Sequence, residues 1–262
     1  MVKEQIQSLQ TPIDKRRREG NCLRGSSNWL AAQPTTAQRH YLSKREFEDA
    51  IRLRIGMEPR DMCEKCACGK KNDVIHTKTC HVGGYINLRH DSVRDFIYQR
   101  ASMVYKDTEV EPSLRPIAEQ NLNPGANKAE QARTDIRINS FERDFQDTHM
   151  DIKVINAQAD THKETHPSLA MKKAEEGKER SYKERLQKVE NASFVPIIFT
   201  SKGARSRKTA KALTMIANKI ALKRKEERQV VANRMAMDLS FLFLRMELAC
   251  IRGRRKPRTQ PV

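Results

Sequence analysis

The sequence predicts an α/β fold, because segments with the period of a helix alternate with short segments in which apolar and polar residues alternate. A helix, three strands, a second helix and a fourth strand are expected in this order within residues 87–202. Two further helices are expected within residues 203–251. Ahead of this core, residues 61–86 concentrate cysteine and histidine, which predicts a small zinc motif.

The helix before the cysteine-rich segment has a clear start. Ser43 and Glu46 have the spacing of a capping box. The apolar residues that follow at helical intervals are Phe47, Ile51 and Ile55, and a glycine then ends the pattern. Residues 41–60 are therefore predicted to form a linker helix.

The core is predicted to begin with the helix RHDSVRDFIYQRASMVY, which follows the chain break HVGG. Asp91 is placed to cap the start of this helix. One face of the helix is apolar and consists of Val93, Phe96, Ile97, Ala101 and Val104. The segments TEVEPSL, RTDIRINSF and HMDIKVINA then alternate in polarity between turn-forming residues, and they predict three strands.

A charged helix and one strand complete the predicted core. Residues 168–190 have only sparse apolar positions, which predicts a mostly solvated helix. The segment SFVPIIFTSKG predicts a buried strand, and Pro196 favours a sheet edge or the start of the strand. Apolar stripes predict two more helices at about residues 206–226 and 229–250, with their methionine and phenylalanine side chains in the core.

Both ends of the chain differ from this core. Residues 1–40 are polar and lack a sustained period, so they are predicted to be a largely disordered basic segment with an anchor at Trp29 and Leu30. Residues 252–262 form a basic tail. Its string RGRRKPR is either a nuclear localisation signal or a solvated end.

The charge of the chain predicts an anionic partner. The 262 residues contain 51 lysine plus arginine and 33 aspartate plus glutamate, which gives a formal net charge of +18. Such an excess favours polyanions, with nucleic acid first among them. The most apolar stretch, MDLSFLFLRM, is too short to span a bilayer, and no apolar leader follows the first lysine. The protein is expected to be intracellular, without a membrane partner, where cysteines stay reduced and available to a metal ion.

The string CEKCACGKKNDVIHTKTC has the ligand types and the spacing of a zinc site. Cys66 and Cys68 form one close pair, and His76 and Cys80 form a second pair one helical turn apart. Cys63 is an alternative ligand in place of Cys66 or Cys68, and the sequence does not choose between these arrangements. The competing interpretations are a patch of reduced surface cysteines or, if the protein were secreted, a disulfide pair.

Acidic residues on the second and third predicted strands suggest a second metal site. Asp151 and Lys153 share one face of the third strand, because side chains alternate along a strand, and Asp135 lies on the strand before it. Two carboxylates bind a divalent cation such as magnesium through oxygen, and a nearby ammonium can stabilise charge on a phosphate. Combined with the order helix, three strands, helix, strand, this is the layout of a PD-(D/E)XK nuclease core. The alternative is that both aspartates are exposed strand-end charges paired with Arg133 or Arg137.

The chain contains, in order, the segments SSNWL, LSKREFEDAIRLRIG, CACGKKNDVIHTKTCHVGGYINLRHDSVRD, VEPSLRP, ARTDIRI, MDIKVINA, KERSYKERLQKVENASFVPIIF and CIRGRR. This series resembles the restriction-like endonuclease domain in the C-terminal part of open reading frames from non-LTR retrotransposons. In that family a Cys/His zinc motif precedes a PD-(D/E)XK nuclease core. The resemblance spans about residues 26–254.

The resemblance implies a set of site residues. The zinc ligands of the family correspond to Cys66, Cys68, His76 and Cys80. The acids that bind the catalytic magnesium correspond to Asp135 and Asp151, and Glu111 stands where an auxiliary acid is often found. The catalytic lysine corresponds to Lys153 at the usual position or to Lys178 at a displaced position on the following helix.

Two features depart from the family. Thr134 stands where the family has a proline, which loosens the motif but leaves the carboxylate of Asp135. The chain has no tyrosine followed by paired aspartates of the polymerase type, so a reverse transcriptase is expected to come from a longer polyprotein.

The resemblance implies a magnesium-dependent endonuclease that nicks DNA in the nucleus, with RNA or a reverse transcriptase as further partners. The alternative is a non-catalytic, zinc-stabilised remnant of such an element that binds nucleic acid. A third interpretation is a helix-rich protein whose charge only keeps it soluble, and it leaves the Cys/His cluster unexplained.

Overall fold

The computed structural model describes residues 11–83, 85–162 and 164–253. Helical segments precede the sheet. They are α1 (Pro12–Cys22), a 3-10 turn (Asn28–Ala31), α2 (Lys44–Ile55), the single-turn helix α3 (Val74–Thr77) and α4 (Tyr85–Ser102).

The described residues contain one sheet of four strands. The strands are β1 (Thr108–Val110), β2 (Ile136–Asn139), β3 (Asp147–Ile155) and β4 (Ser193–Thr200), in the spatial order β1-β2-β3-β4. The first two pairings are antiparallel, and β3 pairs with β4 in parallel. Helix α5 (Pro167–Arg185), extended by a π-helical turn (Leu186–Glu190), connects β3 to β4, and α6 (Arg207–Arg224) and α7 (Arg228–Arg252) follow. The predicted α/β fold with two C-terminal helices is confirmed.

The two faces of the sheet pack against different helices. Met150 and Ile152 of β3 are buried in the main hydrophobic core together with side chains of α4, α6 and α7. On the opposite face, Ile155 clusters with Met171 of α5. Because side chains alternate along a strand, Asp151 lies on the face that α5 covers.

Helix α4 starts earlier than the sequence predicted. It begins at Tyr85, shortly after Gly83, whose φ of 98° breaks the chain direction. Asp91 therefore lies inside the helix and does not cap it. Its carboxylate instead contacts Arg94 at 3.3 Å, one turn further along. His90 also lies in this helix, and its side chain reaches Asp135 at the end of the sheet.

Strand β4 lies at a sheet edge, as Pro196 suggested. The backbone N–H of Ile198 donates to Thr209 Oγ1 of α6 at 2.7 Å, on the side away from β3. Pro196 is two residues earlier and faces the same side, so its missing N–H removes no hydrogen bond to β3. Helix α6 covers this edge, and β4 is buried along almost its whole length.

The structure differs from the expectation of disorder for residues 1–40. Thr11 and Asp14 form a capping box at the start of α1. Trp29 is buried, and its backbone N–H donates to Ser240 Oγ of α7 at 2.9 Å. Leu30, the second expected anchor, is exposed. Periodicity misses this segment because its contacts with the core come from isolated residues, namely Leu23, Trp29 and His40. Residues 1–10 lie outside the described part of the chain.

Helix α2 has the predicted capping box but a different buried face. Phe47 and Ile55 are exposed, whereas Ala50 and Leu53 are buried against α7. The buried face is therefore shifted from the positions that the apolar pattern indicated. The same face carries Asp49, a buried carboxylate whose partner comes from the other end of the chain.

Arg252 is the partner of Asp49. Its guanidinium nitrogens Nε and Nη2 each lie 2.7 Å from the Asp49 carboxylate oxygens. Arg252 is thus the last residue of α7 and not part of a tail, and residues 254–262, with most of the string RGRRKPR, lie outside the described residues. Among the helices that the structure describes, none combines the length and the apolar character needed to cross a membrane.

Candidate functional site

The first half of the Cys/His cluster is a tight turn. The N–H of Cys66 donates to Lys70 O at 2.9 Å, and the N–H of Gly69 donates to Cys66 O at 2.8 Å. Gly69 has a φ of 84°, a left-handed conformation that a residue without a Cβ adopts at little cost. This turn places Cys66 and Cys68 side by side.

The second half of the cluster is one helical turn. The Asp73 side chain caps α3 by accepting hydrogen bonds from the N–H groups of Ile75 and His76. The N–H of Cys80 donates to His76 O at 2.8 Å, so these two residues are one turn apart. The spacing of His76 and Cys80 in the sequence predicted this geometry.

The four side chains form one compact group. The ligand atoms of Cys66, Cys68, His76 and Cys80 all lie within 4.8 Å of one another. The Cys66 and Cys80 sulfurs are 3.7 Å apart, and Cys68 Sγ lies 3.2 Å from His76 Nε2. Two sulfurs bound to one tetrahedral zinc ion are about 3.8 Å apart, so the group can bind a metal ion such as zinc. Within the described ranges Cys63 is exposed and does not belong to the group.

The two buried thiols of this group differ in their pKa. Burial raises the pKa of Cys66, but hydrogen bonds from the Cys68 backbone and the His76 side chain lower it to about 6. Burial raises the pKa of Cys80, and the neighbouring Cys66 thiol raises it further. The surroundings of Cys66 therefore favour a thiolate, the form that binds metal ions.

The Cys/His motif is attached to the rest of the fold by buried charged groups. Lys78 forms an ion pair with Glu247 of α7, and both side chains are buried. The carbonyl of Lys78 also accepts a hydrogen bond from Arg89 of α4 at 3.5 Å. The motif thus packs against α7 as well as against α4.

Asp135 lies at the start of β2, where two elements converge on its carboxylate. Its backbone N–H donates to Met150 O at 3.0 Å, which extends the ladder between β2 and β3. Oδ2 of Asp135 accepts a hydrogen bond from the N–H of Ile152 at 2.5 Å. His90 Nε2 of α4 lies 3.3 Å from the same oxygen.

Asp151 and Lys178 form an ion pair on the face that α5 covers. Asp151 is 5% exposed. Lys178 comes from the middle of α5, so the displaced lysine is the one that the fold brings to the carboxylate. Lys153 is exposed, and within the described part of the chain it forms no ion pair.

Burial and neighbouring charges shift the pKa values of Asp151 and His90. Burial raises the pKa of Asp151, and the nearby Lys178 partly offsets this effect. The charge of Asp135 also raises the pKa of Asp151, so the two carboxylates influence each other. The hydrogen bond with Asp135 raises the pKa of His90 to about 8.

Glu111 is close to this site through its backbone only. Its N–H donates to Asp135 O at 3.0 Å. Its carboxylate pairs with Arg94, and with Arg133 at 3.4 Å. The side chain of the expected auxiliary acid is therefore engaged by two arginines.

Within the described ranges, neither Asp135 nor Asp151 pairs with an arginine, which was the alternative interpretation. Arg137 contacts Asp107, Glu109 and Asp147 at 2.8 to 3.2 Å. Arg133 pairs with the carboxylate of Glu111, as described above. The cationic partners of Asp135 and Asp151 are instead a histidine and a lysine from two helices.

Sequence reasoning missed His90 and the partner of Thr134. His90 stands between an arginine and an aspartate in a helix, and no local pattern connects it with Asp135. Thr134 Oγ1 lies 2.7 Å from Nδ1 of the buried His149 on β3, a contact that ties the start of β2 to β3. The pairing of β2 with β3 reveals the contact of Thr134, and the packing of α4 against the sheet reveals that of His90.

The arrangement combines two separate chemistries. The Cys/His group offers sulfur and nitrogen ligands, whereas Asp135 and Asp151 offer oxygen ligands with an ammonium group beside them. In the residues that the structure describes, the aspartates do not belong to a compact group of three or more His, Cys, Asp or Glu side chains.

No protein-family model matches this sequence, and no curated protein matches it.

Proposed function

We propose that this protein is a metal-dependent DNA endonuclease that nicks one strand, with Asp135, Asp151 and Lys178 as its catalytic residues. The observation that carries the proposal is the ion pair between Lys178 and the buried Asp151. A lysine held against a buried carboxylate, next to a second carboxylate, provides both a cation-binding group and a phosphate-binding group.

The order of the elements supports the same proposal. Helix α4, strands β1 to β3, helix α5 and strand β4 follow one another as in the nuclease core that the sequence resembles. Asp151 lies on β3 and Asp135 at the start of the neighbouring β2, as expected for that core. The lysine comes from α5, which corresponds to the displaced position in that family.

The donor set fits a hard cation such as magnesium. Both aspartates offer oxygen, which magnesium prefers, and a site with only two protein ligands leaves room for water and phosphate oxygens. When bound, magnesium would supply an activated water and offset negative charge on the scissile phosphate. Lys178 would contact a phosphoryl oxygen, and the N–H of Ile152 would hold the Asp135 carboxylate in place.

The Cys/His group is proposed to hold a structural zinc ion. Four protein ligands from Cys66, Cys68, His76 and Cys80 complete a tetrahedral site and leave no open position for a reacting water. The zinc ion would fix the turn and the single-turn helix α3, and it would hold Lys78 in position to pair with Glu247 of α7.

The cellular role is proposed from the resemblance. A nick made by such a domain leaves a 3′ hydroxyl that can prime reverse transcription, a step that needs a reverse transcriptase supplied by a longer polyprotein. The net charge of +18 supports DNA or RNA as a direct partner. The site of action would be the nucleus.

Plasmid nicking tests the proposal. Purified protein is incubated with supercoiled plasmid, with and without added magnesium, and the open circular form is quantified. Asp135→Asn and Asp151→Asn should each abolish nicking. Asp107→Asn is a matched control, because Asp107 is an exposed acid that pairs with Arg137 and lies outside the site. Equal nicking by the parent and both site variants contradicts the proposed activity.

A second candidate function is binding of nucleic acid without cleavage. The observation that favours it is that both carboxylates already have cationic partners, His90 for Asp135 and Lys178 for Asp151. A decayed site could retain such pairs for stability alone. In that case DNA binding persists, and magnesium produces no nicked plasmid at any protein concentration.

A further inference from the structure

A groove between α6 and α7 lies apart from both sites described above. Its volume is about 410 Å³. Leu213 and Ala217 of α6 and Met235 and Leu239 of α7 form its apolar floor, and because these residues are only 2–6% exposed, the floor presents a narrow apolar surface. None of the described residues that line the groove is acidic.

The rim of the groove carries positive charge and amide groups. Arg24, Arg205 and Arg228 supply three guanidinium groups, and Asn218 and Asn233 are two of the amides. An amide can both donate and accept hydrogen bonds, and a guanidinium binds phosphate oxygens in a bidentate manner. The rim therefore offers partners for an anion and for uncharged polar groups.

Backbone packing holds two of these arginines together. Gly25 has a φ of 102°, and a Cβ there would lie 2.9 Å from Gly203 O. The loop after α1 thus touches the loop after β4 directly, which places Arg24 beside Arg205. Burial lowers the pKa of Arg205, and the positive charge of Arg24 lowers it further.

Among the described residues, neither Arg24 nor Arg205 has a carboxylate partner. In the part of the chain that the structure describes, neither forms an ion pair, and Arg205 Nε is buried without a hydrogen-bond partner. Arg137, in contrast, contacts three acids. Two adjacent guanidinium groups repel each other, so an anionic ligand between them would relieve an unfavourable interaction.

We propose that this groove binds a single strand of nucleic acid. Arg24 and Arg205 hold backbone phosphates, and Asn218 and Asn233 contact base edges. The narrow apolar floor makes van der Waals contact with a base, without aromatic stacking, because none of the described lining residues is aromatic. The volume suits a nucleotide, whereas a duplex keeps its base faces stacked and would leave the apolar floor without a partner. The groove is a binding site in addition to the proposed cleavage site, and it does not depend on cleavage.

Fluorescence anisotropy with a labelled oligothymidylate of about 16 nucleotides tests this proposal. Binding is measured without added magnesium, so that failure of the nuclease proposal does not affect the result. The Arg24→Gln/Arg205→Gln variant should bind at least about tenfold more weakly than the parent. The dependence of log affinity on log salt should become shallower by about 1.4, because two phosphate contacts are lost.

Lys44→Gln/Arg45→Gln is the matched control, because it removes the same charge from exposed positions of α2. Its affinity should stay within about twofold of the parent, since charge far from the groove acts only through screened fields. Equal weakening in both double variants would show that net charge alone is responsible, and it would overturn the proposal.

Asn218→Asp provides a second variant that keeps the size of the side chain. It places a negative charge in the groove, so binding of the oligothymidylate should fall while the thermal melting temperature stays unchanged. A duplex of the same length should lose less affinity than the single strand in both groove variants. Unchanged binding of the single strand by Asn218→Asp, or an equal loss for the duplex, would contradict the assignment.

Discussion

Lys178 of α5 forms an ion pair with Asp151 of β3, on the face of the sheet opposite the main core. The side chain of Lys178 is 26% exposed and that of Asp151 is 7% exposed. The ammonium group of Lys178 can therefore reach solvent, whereas the carboxylate of Asp151 is enclosed by protein. This asymmetry determines what each substitution should do.

Lys178→Ala should reduce magnesium-dependent nicking by a factor of about 100 or more, because a preorganised positive charge near the phosphate is lost. Lys153→Ala is the matched control, because Lys153 lies two residues from Asp151 on the same strand and is exposed. This variant should nick at nearly the parental rate. The initial rate of plasmid nicking is the measurement. The opposite pattern, with loss only in Lys153→Ala, would mean that the lysine at the usual family position is catalytic.

Asp151→Asn should leave the free energy of unfolding unchanged or slightly increase it at neutral pH. The pKa of Asp151 is raised mainly by burial, so its ionised form disfavours the folded state, and a neutral amide removes that cost. Released from the pair, Lys178 can extend toward water.

Lys178→Ala should have the reverse effect on stability. It leaves the buried Asp151 without its counterion and should lower the free energy of unfolding by about 2 kcal/mol. Urea denaturation measures both variants. The double variant Asp151→Asn/Lys178→Ala should recover most of the loss, and failure to recover would show that Lys178 stabilises the fold by packing and not by charge.

Local signals account for the elements that were predicted correctly. The capping box at Ser43, the spacing of His76 and Cys80, and Pro196 in an edge strand each act over a few residues, where covalent geometry limits the possible structures. The alternating segments likewise predicted β2 and β3, because successive side chains of a strand point to opposite faces of the sheet.

Contacts between distant segments account for what the sequence did not predict. Asp49 pairs with Arg252 from the other end of the chain, and Trp29 reaches Ser240 in the same way. His90 meets the carboxylate of Asp135 only because α4 crosses the end of the sheet. The periodicity of one segment does not predict its contacts with distant segments, so the pairing of Arg252 was not predicted. The helix at residues 12–22 was not predicted either, because this segment lacks a sustained apolar period.

Cys68→Ser should abolish stoichiometric zinc binding, because it removes one of the four ligands proposed for zinc. Cys63→Ser is the matched control, because Cys63 is exposed and outside the ligand group. It should retain one zinc ion per chain. Elemental analysis after purification under reducing conditions measures both, and loss of zinc in Cys63→Ser would assign that thiol as a ligand.

Glu247→Gln should destabilise the fold by about 3 kcal/mol, because it leaves Lys78 buried without a counterion. Burial raises the pKa of Glu247, but the charges of Lys78 and Lys202 lower it below its ordinary value. The double variant Lys78→Met/Glu247→Met replaces the pair by apolar side chains and should recover part of the loss, but not all of it, because Lys202 and Arg89 also interact with Glu247. Thermal unfolding of the zinc-loaded protein measures this difference, and equal destabilisation by the single and double variants would contradict it.

His149 should make the protein sensitive to acid. Burial lowers its pKa from an ordinary value of 6.5 to about 4. Between these two values the unfolded chain binds a proton at His149 that the folded chain does not bind. The contribution of His149 to the free energy of unfolding is therefore fully present above about pH 6.5 and is lost as the pH decreases toward about 4. The loss over this window should be about 3 kcal/mol, from a difference of about 2.5 pH units.

His149→Gln separates this effect from other acid-sensitive groups. The glutamine amide can still form a hydrogen bond with Thr134 Oγ1, but it does not titrate. Urea denaturation of the parent and the variant at a series of pH values between about 7 and about 4 gives the two stability profiles. The difference between the profiles should grow with acidity and level off near pH 4, and profiles that stay parallel would show that His149 does not titrate differently in the folded and unfolded chains.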